Sequence, residues 1–454
     1  MLILKQQMQL TTDLLKEALH VTNLPEFIAS GVSIDTRTIK AGDIFIAINR
    51  GHEFVSDAIK AGASLAVIDD PKYAVPGKTV IVNNTTEALK SIGSYIKNKV
   101  NLKKLVAITG SIGKTTTKFW LNSILSHKYK SFCGIKNYNT VYGVPLALCQ
   151  LDDDADFGVF EIGSSHSGEI LELSQYLTPD VGVITNIYES HIGNFGDKQS
   201  LAKEKISIID GIKPNGALIF DGNSEFASEI SKVAKSKNLN TLSVGFLSDC
   251  DFYITSYNKI VKLVTPSGML EYTIPFQEKH CAYITATIIA TIYAMGLNPS
   301  EFLPFFSELS RIAGRGNIEK YTFRNRTFEV INDCYNASPT AVLAALDTLQ
   351  AWQSQSKVAV IGQMKELGQY EQHYHNVIAN KLSSMDLNNV FFIGDKTLWA
   401  TMRQCKKVQC FERLDEFAIE KILEVIQNGS VVLLKGSLSV GLKRFIEYIK
   451  CSLI

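Results

Sequence analysis

The run Thr109-Gly-Ser-Ile-Gly-Lys-Thr-Thr116 has the residue types and the spacing to hold the phosphates of a nucleoside triphosphate. Glycines let backbone N–H groups turn inward around phosphate oxygens, and Lys114 adds a positive point charge. The Thr115 hydroxyl can ligate Mg²⁺ at the start of a helix whose dipole favours anions. The strict form of such a loop has a further glycine where Ile108 stands, so this is the variant Gly-x-x-Gly-Lys-Thr-Thr. Gly110, Ser111, Ile112, Gly113, Lys114, Thr115 and Thr116 are the candidate phosphate contacts. A Gly-Lys-Thr met by chance in an ordinary turn would lack the apolar strand before it and the helical pattern after it.

Two more polar residues stand at or just after the ends of predicted strands, where open parallel sheets place their ligands. Glu161 follows Phe157-Gly-Val-Phe160, and a carboxylate suits Mg²⁺ because hard cations prefer oxygen. His191, in Asn186-Ile-Tyr-Glu-Ser-His191, reads by itself as a turn residue or a satisfied core histidine. Lys205 reads by itself as a solvated lysine on a helix face.

The elements that must position these residues follow from apolar patterning. Leu105–Ile108 leads into the loop, and a helical pattern runs from Thr116 to Ser126. Strands are predicted at 157–160, 181–184 and 217–220, and again at 327–331, 357–361, 390–393 and 431–434, each followed by turn residues and a helical stretch. Such alternation predicts largely parallel sheets covered by helices. The first 100 residues add strand-like runs at 43–48 and 65–68 and a helix at 87–99. A chain of 454 residues is long enough for about three domains. The expected fold class is therefore α/β in three domains: an N-terminal α/β domain at 1–101, a central phosphate-loop domain with a mostly parallel sheet at 102–312, and a C-terminal Rossmann-like α/β domain at 313–454.

The 46 basic and 45 acidic side chains nearly cancel, which gives no electrostatic reason to expect nucleic acid or an anionic membrane as partner. Eight scattered cysteines without Cys-x-x-Cys or zinc spacing read as reduced thiols of a cytoplasmic protein. The apolar stretch Cys281–Met295 falls short of the roughly 20 residues that span a bilayer, so a buried helix is expected and membrane insertion is not. The N-terminus lacks the order of a signal peptide.

Read in order, Ile108–Lys118, Lys136-Asn-Tyr-Asn-Thr-Val-Tyr-Gly-Val-Pro145, Phe160-Glu-Ile-Gly-Ser164 and Thr185-Asn-Ile-x-x-x-His191 resemble the Mur ligases. These are ATP-dependent amide-forming enzymes that build the peptidoglycan stem peptide. The resemblance spans about Asp35 to Gly441. It implies ATP and two Mg²⁺ ions as cofactors, with Thr115, Glu161, His191 and Lys205 at the metal sites and Lys205 carbamylated. Lys114, Lys205 and His191 take the catalytic roles, and Asn139 joins the ATP contacts. Arg315 and Asp333 are carried over to the ATP phosphates and ribose, with Asn336 in the same cleft or facing the incoming dipeptide; binding across three domains then implies closure. Ile34-Asp-Thr-Arg37 resembles the uridine-nucleotide end of the substrate site, which singles out Thr36 and Arg37.

Asp333-Cys-Tyr-Asn-Ala-Ser-Pro339, Ile361-Gly-Gln-Met-Lys-Glu-Leu-Gly368 followed by His375, and Leu434-Lys-Gly-Ser437 resemble the branch that adds D-alanyl-D-alanine to UDP-N-acetylmuramoyl-tripeptide. Those two small molecules are the implied substrates, and a monomer is expected. The chain departs from the family pattern at Cys281 and Ile284, near the adenine, and at Ser338, Leu438 and Lys443, in the domain that receives the dipeptide. A folate-polyglutamate-type ligase, or a nucleotide-binding regulator without catalysis, are the alternatives. The Asp-Thr-Arg block and the Met-Lys-Glu-Leu-Gly segment speak against the first, and the complete set Lys114, Thr115, Glu161, His191 and Lys205 against the second.

Overall fold

Lys104–Thr109, the strand that enters the glycine loop, lies between Phe157–Glu161 and Val181–Ile184 and pairs in parallel with both. Its residues 105–109 are buried on both faces, as are all those of its two neighbours. That is why each reads as an unbroken apolar run rather than an alternating one. The sheet continues in parallel through Ala217–Asp221, Asn240–Gly245 and Phe252–Ser256, with Ser131–Cys133 on its other edge. Two antiparallel strands, Ile260–Thr265 and Gly268–Thr273, complete nine.

The computed structural model describes residues 9–22, 24–134 and 138–451; Lys136 and Asn137 of the motif at 136–145 lie outside them. Over these residues the α/β expectation holds. The N-terminal part carries a four-stranded parallel sheet, Val32–Ser33, Ile44–Ile46, Leu65–Ile68 and Thr79–Ile81, and the helix Thr85–Lys99. The strand at 44–46 is shorter than the predicted 43–48, and the helix starts two residues earlier because Asn84 caps it through Glu87 N–H. The apolar run around 281–295 is the helix Lys279–Ala294, with Ile288, Ile289 and Ile292 fully buried. No helix among the described residues is long and apolar enough to cross a membrane. All eight cysteines are free thiols.

The C-terminal part holds a six-stranded sheet in the order 317–323, 326–333, 431–435, 357–362, 389–393, 408–411. Its first pair is antiparallel and the rest parallel. Chain contacts group the molecule into two compact units: residues up to Thr185 with Glu204–Ser307, and Asn186–Lys203 with the chain from Glu308 onward. The second unit thus includes a segment that the sequence places inside the first.

Candidate active site

In the first unit, the loop after Thr109 turns through Gly110 at φ 134° and Gly113 at φ 86°. Only glycine takes up both conformations without strain, and they deliver the chain to the N-terminus of the helix Lys114–Ser126. Lys114 Nζ donates to Gly110 O at 2.7 Å and Ser111 O at 3.2 Å, so the ammonium lies over the loop it would serve. Thr185 Oγ1 donates to Ile112 O at 2.7 Å and braces the loop from the neighbouring strand.

Thr115 and Glu161 are each 3% exposed, and Thr115 Oγ1 donates to Glu161 Oε2 at 2.7 Å. Asn139 Nδ2 donates to the other carboxylate oxygen at 2.8 Å. The pairing of Glu161 opposite Ile108 in the sheet fixes this geometry. A buried carboxylate contacted by neutral hydroxyl and amide groups at the foot of a phosphate loop fits Mg²⁺. That ion takes one or two protein oxygens and leaves its remaining positions to phosphates and water. No group of three or more His, Cys, Asp and Glu that could hold a metal ion is present among the described residues.

Lys205 is 2% exposed, not the solvated lysine that its local sequence suggests. Its Nζ donates to Ser164 Oγ at 2.8 Å. Burial pushes its pKa down to about 7, helped by the charge of Lys114 and opposed by Glu204 and Glu169. Ser164 sits on a loop fastened by Glu204, whose two carboxylate oxygens accept from Gly168 N–H at 2.7 Å and Ile170 N–H at 2.9 Å. Neither Ser164 nor Glu204 carries a pattern of its own. Ser164 closes the quoted motif Phe160–Ser164, and Glu204 adjoins Lys205, so position was the only available signal.

In the second unit, Asp333 pairs with Lys435, Nζ to Oδ2 at 3.0 Å, as their register at adjoining strand ends dictates. Lys435, 4% exposed, also donates to Asn336 O at 2.6 Å. Asn336 Oδ1 accepts from Ala337 N–H at 2.8 Å. The Arg315 guanidinium lies 4.2 Å from the Tyr335 ring centroid. Arg315, Asp333 and Asn336 are thus gathered around one turn. His191 belongs to this unit, in the left-handed conformation at φ 64°, with Nδ1 2.5 Å from Glu366 Oε2.

Arg37 is exposed and its guanidinium is engaged by Asp35 at 2.7 Å; Thr36, beside it, is half-buried. Among the departures, Ile284 packs toward the phosphate loop, its Cδ1 3.6 Å from the point a Cβ on Gly113 would occupy. Cys281 is buried, Leu438 is exposed, Ser338 precedes the helix Pro339–Ala351 without capping it, and Lys443 pairs with Glu447.

The doubly covered parallel sheet and the glycine loop at its central strand define a phosphate-loop nucleotide-binding protein. Family models refine this: the Mur ligase middle domain matches residues 108–291, and the Mur ligase glutamate ligase domain matches 318–438. The chain belongs to the Mur ligase family. It is 29% identical to a UDP-N-acetylmuramoyl-tripeptide–D-alanyl-D-alanine ligase of Rickettsia prowazekii, over 92% of this chain and 94% of that one. It is 27% identical to the ligase of the same name in Bacillus subtilis, over 98% of both chains. Among solved structures, MurF of Acinetobacter baumannii superposes with a TM-score of 0.86 at 26% identity, covering 98% of this chain and 99% of that one.

Proposed function

We propose that this chain is the ATP-dependent ligase that joins D-alanyl-D-alanine to UDP-N-acetylmuramoyl-tripeptide, acting in the cytoplasm as a monomer. The observation that carries the reading is the buried Thr115–Glu161 contact at the foot of the phosphate loop, in a chain that matches ligases of this name from end to end. Residues 1–101 are assigned to the uridine end of the first substrate, with Thr36 and Arg37 in contact. Residues 102–312 are assigned to ATP, and 313–454 to the dipeptide and the outer side of the nucleotide, through Arg315, Asp333 and Asn336.

Amide formation needs an activated carboxylate, because hydroxide is a poor leaving group. The terminal carboxylate of the tripeptide attacks the γ-phosphorus of ATP; the bond to the β,γ-bridging oxygen breaks and ADP leaves with that electron pair. The free amine of D-alanyl-D-alanine then attacks the acyl carbon, inorganic phosphate departs, and the amine loses a proton. Lys114 and the loop N–H groups of Gly110–Thr116 hold the transferring phosphoryl group and spread its charge. Asn139 holds Glu161 in place. Mg²⁺, when bound, neutralises phosphate charge; Thr115 and Glu161 would hold one ion, and His191 with carbamylated Lys205 a second. Lys205 is suited to carbamate formation, since its depressed pKa leaves much of the amine neutral and able to add CO₂.

The test supplies purified protein with ATP, Mg²⁺, UDP-N-acetylmuramoyl-tripeptide and D-alanyl-D-alanine, and follows phosphate release as each is omitted. Release that requires all four is expected. Release indifferent to the dipeptide would overturn the ligase reading, and release driven by a free amino acid would move it to a sister enzyme.

A further inference from the structure

The loop Gln363–Gly368 has no part in the chemistry described above, yet it is held from several directions. His375, 1% exposed, accepts from Met364 N–H through Nε2 at 3.1 Å, and its Nδ1 is 2.7 Å from Glu371 O. Ser437 Oγ accepts from Lys365 N–H at 2.9 Å. Glu366 itself adopts φ 66°, a left-handed conformation uncommon outside glycine and kept only where the surroundings impose it.

The imposing partner is the segment 186–203 of the same unit. The two backbones touch at a pair of glycines. A Cβ on Gly193 would stand 2.5 Å from Gly368 N, and one on Gly368 would stand 2.8 Å from Gly193 Cα. Gly193 N–H donates to Glu366 O at 3.0 Å, and Tyr370 Oη donates to Gly196 O at 3.2 Å. This crossing brings the Glu366 carboxylate within 2.5 Å of His191 Nδ1, a short polar contact outside hydrogen-bond alignment.

We propose that Glu366 is a positioning residue for His191: its carboxylate occupies the Nδ1 side of the ring and leaves Nε2 as the nitrogen offered to Mg²⁺. Histidines that ligate metals commonly have their second ring nitrogen fixed by a carboxylate, which sets tautomer and ring orientation. The inference rests on the assignment of His191 to a metal under the proposed function.

The test uses the full-length chain and the variants Glu366→Gln, which keeps the shape, and Glu366→Asn, which tolerates the left-handed backbone. In metal-free protein labelled with ¹⁵N-histidine, the His191 ring signals are identified by their loss in His191→Gln. The unaltered chain is expected to show one dominant tautomer, protonated at Nδ1, and both variants a mixture. Mn²⁺ binding in the presence of a non-hydrolysable ATP analogue, read by EPR, is expected to weaken roughly tenfold in both variants, with affinity for the analogue retained. Ring signals that do not move would overturn the proposal, and so would ring signals that move with Mn²⁺ affinity unchanged. Neither readout needs ligation, so a failed ligase assay condemns the proposed function and leaves this test intact.

Discussion

An ammonium group 2% exposed is costly to keep charged, and Lys205 therefore titrates near neutrality. Replacing Lys205 by alanine is expected to lower ligation roughly 100-fold, as removal of a charge-stabilising group at a reacting centre does. A short carboxylic acid able to occupy the place of the proposed carbamate is expected to restore part of the rate, measured as phosphate release with and without the acid. A second buried group gives a prediction about stability. Burial lifts the Asp221 carboxyl to about 6 from its ordinary 3.8, against the N–H of Asn223 and the charge of Lys279. Between those two values the folded chain holds a proton that the unfolded chain has released, so stability falls as pH rises through the window and stays lower above it. Asp221→Asn is thus expected to gain up to about 3 kcal/mol at pH 8 and to flatten this part of the profile, measured by urea unfolding between pH 4 and 8. At this scale the phosphate loop was legible because its chemistry is local and contiguous. The burial of Lys205 was not, since Ser164 and Glu204 reach it only through the fold.

Secondary-structure elements translate such residues into positions. The helix Glu169–Leu177 starts at Gly168 without a side chain of its own to cap it, and Glu204, from the helix that carries Lys205, supplies both acceptors. Glu204→Gln turns one of those acceptors into a donor that faces a buried N–H. The expected cost is about 1–3 kcal/mol, read as a lower urea midpoint at constant slope. Strands buried on both faces, such as Val181–Ile184, were legible as apolar runs with the observed bounds. The antiparallel strands Ile260–Thr265 and Gly268–Thr273 were not. Ile260–Thr265 alternates exposed and buried residues, with lysine and threonine among its apolar positions, and offers no continuous run to read.

At the scale of the molecule, the segment 186–203 leaves one compact unit in sequence and packs in the other. Nothing local announces this: the contact is glycine backbone against glycine backbone, from motifs far apart in the chain. Amide hydrogen exchange gives the prediction. Protection of residues 192–196 is expected to follow that of 361–375 rather than that of the strand Val181–Ile184, because local opening proceeds in packed units. Peptide-resolved exchange by mass spectrometry over hours would show it, and Gly193→Ala, which drives a methyl group into Gly368, should lower the protection of 192–196 and 366–368 together and leave that of Val181–Ile184 unchanged.

The same crossing sets a schedule for synthesis. Gly193 leaves the ribosome 175 residues ahead of Gly368, which at 5–20 residues per second is a wait of roughly 9–35 seconds. During that interval the central sheet can close while His191 still has no partner to dock on, so a side chain made early is among the later ones to find its place.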